Sequence, residues 1–194
     1  MLWNINVPII NHEFYNVALW FIIYSVLGWF VESIYMSYCN KKITNRGMVK
    51  GPFCPIYGFG GIMCHTIMSA LPRVPIIIFF SGSLLATTFE YLVGIGLVYF
   101  LGELWWDYND KPFNYKGIIC LESSLAWGMY AILDIYVLYN IIFRIISMIP
   151  IKYGKAIIVL FTVYYSFAIC VVIKNHIGGG KFGEAGAGNT RKLI

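Results

Sequence analysis

Two glutamates, Glu32 and Glu90, stand within long apolar runs of the chain. A carboxylate at the centre of a membrane-spanning helix costs about 2.5–3.5 kcal/mol on insertion scales, so each one requires a reason. We interpret both as lining a polar intramembrane cavity. There they would bind a substrate cation or a proton, or pair with the guanidinium of Arg46. The alternative is that they only hydrogen-bond neighbouring helices.

Three candidate helices each carry small residues and one ionisable group at helical spacing, which places them on a single face. Close packing of helices also uses small residues, so packing remains an alternative for the glycines and serines. The three sets are Ser25, Gly28 and Glu32; Gly58, Gly61 and His65; and Ser83, Thr87, Glu90 and Gly94.

A basic loop, residues 39–50, separates the first two apolar runs, and glycines and prolines mark the start of the second run at residues 51–58. Arg46, beside Asn45, can grip a carboxylate or phosphate through two parallel hydrogen bonds, although an ordinary basic loop residue is the alternative. The glycines and prolines predict a turn or a half-helix whose N–H groups attract an anion. We assign the turn to Gly47, Gly51, Pro52, Pro55 and Gly58, and we add Tyr57 to the cavity.

An aromatic and acidic segment, residues 102–117, follows the third apolar run. Its paired tryptophans are typical of an anchor at the membrane–water boundary. Asp107 either caps the next segment or pairs with Lys116. We include Asp107 and Asn114 among the candidate cavity residues, with His65, which is more often a partner between helices than a base.

The composition excludes a water-soluble domain. The chain is 59% hydrophobic and only 12% charged over 194 residues, whereas soluble domains have about 45–50% apolar and about 25% charged residues. Its net charge of +5 lies in loops between apolar segments, which excludes nucleic acid as a partner. The five cysteines have no metal-ligand spacing, and we predict neither a metal nor another cofactor.

The apolar runs predict an all-α fold, a polytopic transmembrane helical bundle of about five spans. A kinked or interfacial extension follows the fourth span, and the sequence leaves open whether residues 118–149 cross once or twice. The predicted spans are residues 15–38, 53–71, 76–101, 118–139 and 156–173. Residues 1–14 form an interfacial lead, 15–173 the transmembrane domain, and 174–194 a flexible Gly-rich tail. Asp134 and Arg144 are assigned no role.

Basic residues set the predicted orientation in the cell membrane. With five spans, most lysines and arginines fall in the loops and tail of one side, which predicts an outside N-terminus and a cytoplasmic C-terminus.

Four motifs in order resemble the CmpB-like membrane family, also named ABC-transporter type IV. They are YSxLGWxxE (24–32), NRGxxxGPxxPIYGxG (45–60), FEYL (89–92), and WWDYxxxPFN followed by GxICL (105–121). The resemblance covers about residues 15–139 and implies a permease-like role. Relatives place a Glu where this chain has Val98 and an Arg where it has Ile118, so a pair of charges is replaced by two apolar residues.

The expected function is therefore a membrane permease or transporter subunit of unknown substrate. The chain has no GxxxxGK[ST] loop, so ATP hydrolysis would need a separate ATPase subunit docked on the basic inner loop. Two alternatives are a non-catalytic membrane scaffold subunit and a membrane-embedded lipid-handling enzyme with Glu32 or Glu90 as its base. An enzyme is the less favoured reading, and a homo-oligomer is left open.

Overall fold

The computed structural model describes residues 2–7, 12–45, 51–102 and 104–177. Arg46, Gly47 and residues 178–194 of the predicted tail lie outside them. The helices are α1 (Phe14–Asn40), α2 (Pro55–Met68), α3 (Pro75–Leu101), α4 (Leu121–Leu133), α5 (Tyr139–Met148) and α6 (Ile151–Ile177). A π-helical turn, Asp134–Leu138, joins α4 to α5. The predicted all-α fold is confirmed.

The residues before α1 fold into a small hairpin. A 3-10 turn, Leu2–Asn4, precedes two antiparallel strands, β1 (Asn6–Val7) and β2 (His12–Glu13). The rings of Trp3 and Phe14 lie 6.2 Å apart. Within the predicted interfacial lead, the described residues therefore form a 3-10 turn and two paired strands, and Trp3 and Phe14 lie side by side.

Four helical stretches are long and apolar enough to cross a membrane: Phe14–Cys39, Pro75–Leu101, Leu121–Met148 and Ile151–Lys174. In the most apolar 18-residue segment of each stretch, at most 33% is buried within the structure. The remaining apolar surface is available for contact with lipid. The chain is a multi-pass membrane protein. Residues 121–148 form one continuous helical stretch through the π turn, and Pro150 follows it.

The second predicted span is only partly helical. Helix α2 has 14 residues and covers about 21 Å at 1.5 Å per residue, whereas the hydrocarbon core is about 30 Å thick. It begins at Pro55, because proline suits the first helical position, where no N–H is needed. Residues 51–54 before it are not helical. The sequence predicts a bend or unwinding near Pro55. In the structure, the residues before Pro55 are not helical and α2 starts there.

The chain forms two compact units. Of the described residues, the first comprises those up to Ile62 together with residues 139–177, and the second comprises those within Met63–Leu138. In the first unit, aromatic rings fill the interior around Phe53 and Tyr165, whose ring centroids are 4.2 Å apart. Trp20, which is 2% exposed, lies between the rings of His12 and Tyr139.

In the second unit, α3 packs closely on α4. Met68, Ile78, Ala131 and Ile135 form its buried apolar cluster. A Cβ added to Gly82 would overlap the Cβ of Ala131, and one added to Gly128 would meet the ring of Phe79 at 2.7 Å. Small residues at these positions allow the two helices to approach each other.

Gly82→Ala should lower the free energy of unfolding by about 1–3 kcal/mol, because the added methyl group overpacks the contact between α3 and α4. Gly96→Ala, on the same helix, is the matched control, since nothing lies within 4 Å of its added Cβ. It should change the free energy by less than about 1 kcal/mol, or raise it. Equilibrium unfolding in mixed micelles measures both, and equal effects of the two substitutions would contradict this packing.

Candidate functional site

Glu90 is a buried carboxylate of the second unit, with 4% of its surface exposed. One oxygen, Oε1, accepts a hydrogen bond from the hydroxyl of Tyr108 at 3.0 Å. The other, Oε2, accepts one from the indole Nε1 of Trp127 at 3.0 Å. The hydroxyl of Ser123 lies 3.3 Å from Oε2 and 3.0 Å from the carbonyl of Cys120, so its single proton serves one or the other.

These donors come from two elements that follow α3 in the chain. Tyr108 belongs to the loop that connects α3 to α4, whereas Ser123 and Trp127 lie in the first two turns of α4. The first turn of α4 is closed by a reciprocal cap, in which Cys120 Sγ accepts from the Ser123 N–H and Ser123 Oγ accepts from the Cys120 N–H. The amino end of a helix carries a partial positive charge, which favours a carboxylate nearby.

A polar seam continues from Glu90 along α3. The Thr87 hydroxyl donates to Ser124 Oγ at 2.9 Å, and the Ser83 hydroxyl donates to the backbone carbonyl of Ser124. Ser83, Thr87 and Glu90 share one face of α3, as the sequence predicts, and that face meets α4. This face of α3 both packs against α4 and carries a buried carboxylate. Helix packing and a polar site, the two alternatives left by the sequence, therefore occur together here.

The loop that carries Tyr108 is braced by its own side chains. Asp107 Oδ1 accepts from the backbone N–H of Asn109 at 2.9 Å and from its side-chain amide at 2.6 Å. The Asn114 amide donates to the carbonyls of Asn109 and Lys111 at 3.1 and 2.8 Å. Gly117 has a φ of +66°, which glycine adopts without strain. Asp107 and Asn114 thus hold the loop in shape around Tyr108.

Charged residues of the same loop lie at its surface. Lys111 pairs with Glu122 at 2.7 Å, and their side chains are 37% and 52% exposed. Lys116 Nζ lies 5.6 Å from the centroid of the Tyr115 ring. An ion pair this exposed contributes little to stability, at most about 1 kcal/mol.

The second unit also contains a contact between a histidine and a carboxylate that sequence reasoning missed. His65 Nδ1 lies 3.5 Å from Asp134 Oδ2, and the side chains are only 16% and 6% exposed. Asp134 opens the π-helical turn, and such turns are frequent at functional sites. The two residues are far apart in the sequence, so no local spacing could have paired them.

Glu32, in the first unit, is half-buried on α1. Its Oε2 lies 4.0 Å from the Cys54 sulfur, at the limit for a weak S–H hydrogen bond. One turn earlier, the Trp29 indole donates to Asn45 Oδ1 at 2.6 Å. The sequence predicts Glu32 and Asn45 in one site. In the structure, the Asn45 side chain contacts α1 at Trp29, one turn from Glu32.

Glycine contacts hold α2 against α1 in this unit. A Cβ on Gly28 would overlap the ring of Tyr57, and one on Gly58 would overlap the Ser25 hydroxyl. Tyr57 therefore packs on α1 through its ring. The stripe of Ser25 and Gly28 has the packing function that the sequence offered as its alternative.

The predicted site residues therefore fall into two groups. Glu90, Asp107 and Asn114 belong to the second unit, in what we call the braced site: Glu90, its donors and the loop that carries Tyr108. His65 is also in the second unit, but it contacts Asp134 at the other end of α4. Glu32, Asn45 and Tyr57 belong to the first unit, together with the turn residues Gly51, Pro52, Pro55 and Gly58. Arg46 and Gly47 are outside the described residues. Within the described ranges, no three His, Cys, Asp or Glu side chains lie together in a way that could hold a metal ion.

The family described as "Putative ABC-transporter type IV" matches residues 19–173 of the chain. The chain belongs to this family. The match confirms the resemblance carried by the four motifs and extends it into α6. No curated protein and no solved structure matches the chain.

Val98 and Ile118, where the resemblance implies a glutamate and an arginine, lie on α3 and in the loop that follows it. Ile118 is 3% exposed, and its Cγ2 lies where a Cβ on Gly94 would be. Gly94 is one helical turn before Val98, so positions 98 and 118 belong to facing surfaces. Trp106 also donates to the Ile118 carbonyl at 2.7 Å. In this member of the ABC-transporter type IV family, Ile118 packs on α3 one turn from Val98, at the two positions where the resemblance implies a pair of charges.

Tyr108→Phe should loosen the loop, because it removes the hydroxyl that donates to the buried Glu90 carboxylate. Leaving that carboxylate without its donor costs about 1–3 kcal/mol. Trypsin cleavage after the exposed Lys116 should become about tenfold faster, since the cleavage rate follows the population of the opened loop. Tyr91→Phe is the control, because it keeps the ring that packs on Tyr115. Equal cleavage rates in the two variants would contradict the assigned hydrogen bond.

Proposed function

We propose that this chain is the membrane-spanning permease subunit of an ATP-driven transporter, and that a separate subunit supplies the ATPase. Family membership and four long apolar helices support the membrane and transport parts of this proposal. The sequence has no phosphate-binding GxxxxGK[ST] loop of its own.

The observation that carries a role for Glu90 is its set of hydrogen bonds. A single carboxylate on α3 is bound by Tyr108 from the loop and by Trp127 from α4. A movement imposed on the loop is therefore transmitted to two membrane helices through one buried group. Because the group is buried and accepts from both elements, loss of either hydrogen bond would leave a buried polar atom without its partner, at a cost of about 1–3 kcal/mol.

The orientation follows from the basic residues, with an outside N-terminus and a cytoplasmic C-terminus. The non-helical residues before α2 and α2 itself would together make the fifth crossing. The cytoplasmic side then has the loops after α1 and α3. Their basic residues are Lys41, Lys42, Arg46, Lys50, Lys111 and Lys116. The braced loop is in this way presented to a cytoplasmic ATPase.

The substrate cavity lined by both Glu32 and Glu90 stays a prediction, because the two carboxylates belong to different compact units. Each of them lies in a polar site within its own unit. A scaffold role and a lipid-handling role are distinguished from transport by what copurifies with the chain.

The test is purification of the tagged chain from its own membranes, followed by native mass spectrometry and an ATPase assay in nanodiscs. We expect an ATPase subunit in the complex and a loss of at least tenfold in its coupled activity with Glu90→Gln, because an amide cannot accept from both donors as a carboxylate does. Glu122→Gln, which removes an exposed carboxylate, should leave the activity within twofold.

Recovery of the chain alone or with structural proteins only would contradict the proposal in favour of a scaffold. A bound lipid whose class changes in the deletion strain would contradict it in favour of lipid handling. Equal activities of Glu90→Gln and Glu122→Gln would remove the role given to Glu90.

A further inference from the structure

After the end of α1, the chain folds back along the same helix. The backbone N–H of Thr44 donates to Ser37 Oγ at 2.9 Å. Asn45 Oδ1 then accepts from the indole of Trp29 at 2.6 Å. Trp29 lies about 16 Å before the last residue of α1, at 1.5 Å per residue. The backbone here thus lies beside the last turns of α1, and the Asn45 side chain extends from it to Trp29, farther inside the helix.

Immediately before α2, the chain again lies beside α1. The backbone N–H of Cys54 donates to the carbonyl of Ser25 at 3.1 Å, and its sulfur lies 4.0 Å from Glu32 Oε2. Ser25 lies about 18 Å from Ser37 along α1. We call residues 44–45 and 51–54 the fold-back stretches. Neither stretch is helical or part of a strand.

The position of these stretches restricts their surroundings. Phe14–Cys39 of α1 is long and apolar enough to cross the membrane, and Trp29 and Glu32 lie in its interior. Non-helical backbone at membrane depth is tolerated only where it is buried in protein or lines a water-filled cavity. Phe53 meets the first condition, with 4% of its surface exposed. Asn45 and Pro52 are exposed, so only the second condition suits them.

We propose that α1 and the fold-back stretches bound a water-filled vestibule that admits small hydrated solutes, in which Glu32 favours those with a positive charge. The vestibule rests on the proposed permease function, since it provides a route by which a polar solute enters the membrane subunit. Its wall is made of Trp29, Glu32, Asn45 and Cys54.

Cys54 provides a probe of this wall, because its sulfur is half-buried beside Glu32. Its thiolate attacks the sulfur of a methanethiosulfonate, forms a mixed disulfide and releases methanesulfinate. The trimethylammonium-ethyl reagent is cationic and the sulfonato-ethyl reagent is anionic. Because both react with the same thiol, the ratio of their rates reports the local electrostatic potential and is independent of the thiol's own reactivity.

The labelled protein keeps Cys54 and replaces the other four cysteines with serine. Cys120→Ser keeps a side-chain acceptor at the start of α4, where serine is a favoured cap. Two reference proteins keep one cysteine each. Cys39 is exposed on the last turn of α1, and Cys64 packs against the buried apolar cluster of the second unit.

We expect both charged reagents to modify Cys54 in membrane vesicles at a rate within tenfold of Cys39, and Cys64 to react at least a hundredfold more slowly. Modification of Cys54 only by an uncharged, membrane-permeant maleimide would show that this wall is dry and would overturn the proposal.

Glu32→Gln should lower the ratio of cationic to anionic rates at Cys54 about fivefold, because one charge a few ångströms away acts with opposite sign on the two reagents. Glu122→Gln, in the second unit, should leave the ratio unchanged. Asn45→Lys adds the opposite charge at an exposed position and should lower the ratio as well, which provides a test if Glu32→Gln fails to fold. An unchanged ratio in a folded variant would overturn the role of Glu32.

The labelling uses this chain alone in the membrane and needs no ATPase subunit. If no ATPase subunit copurifies, charged reagents can still label Cys54 and show the vestibule. If an ATPase subunit does copurify, Cys54 can still prove inaccessible to charged reagents. The two failures are therefore distinguishable.

Discussion

The structure of the second unit depends on the hydrogen bonds to the Glu90 carboxylate. A carboxyl group buried in an apolar unit is costly unless hydrogen-bond partners replace the water it has lost. Tyr108 and Trp127 supply them, and neither can do so unless the loop and α4 are both folded against α3. Three further features hold these elements in place: the hydrogen bonds of Asp107 and Asn114 within the loop, the cap at Cys120 and the close helix contact at Gly82.

The first unit meets the related constraint on backbone groups. A chain that re-enters the membrane without helical structure must find partners for its N–H and carbonyl groups. Cys54 finds one in the Ser25 carbonyl, and Thr44 finds one in the Ser37 hydroxyl. Glycines 28 and 58 let α2 approach α1 closely enough for this to happen. A polar wall beside Glu32 is the result.

Much of this could be predicted from the sequence, because membrane spans depend on local composition and Glu90 is conspicuous in an apolar run. The start of α2 at Pro55 also follows from local chemistry. The contact of His65 with Asp134 and the return of Asn45 to Trp29 could not be predicted. Both join residues that are distant in sequence, and both depend on how helices pack. The paired tryptophans suggested a boundary anchor, whereas it is the neighbouring Tyr108 that contacts the buried carboxylate.

Hydrogen–deuterium exchange of Glu90→Gln against the native chain in nanodiscs tests the central claim most directly. If the carboxylate holds the loop and α4 on α3, amide exchange should accelerate several-fold across residues 104–127 and stay unchanged in α6. Exchange that is unaltered in residues 104–127 would show that Glu90 does not hold these elements together.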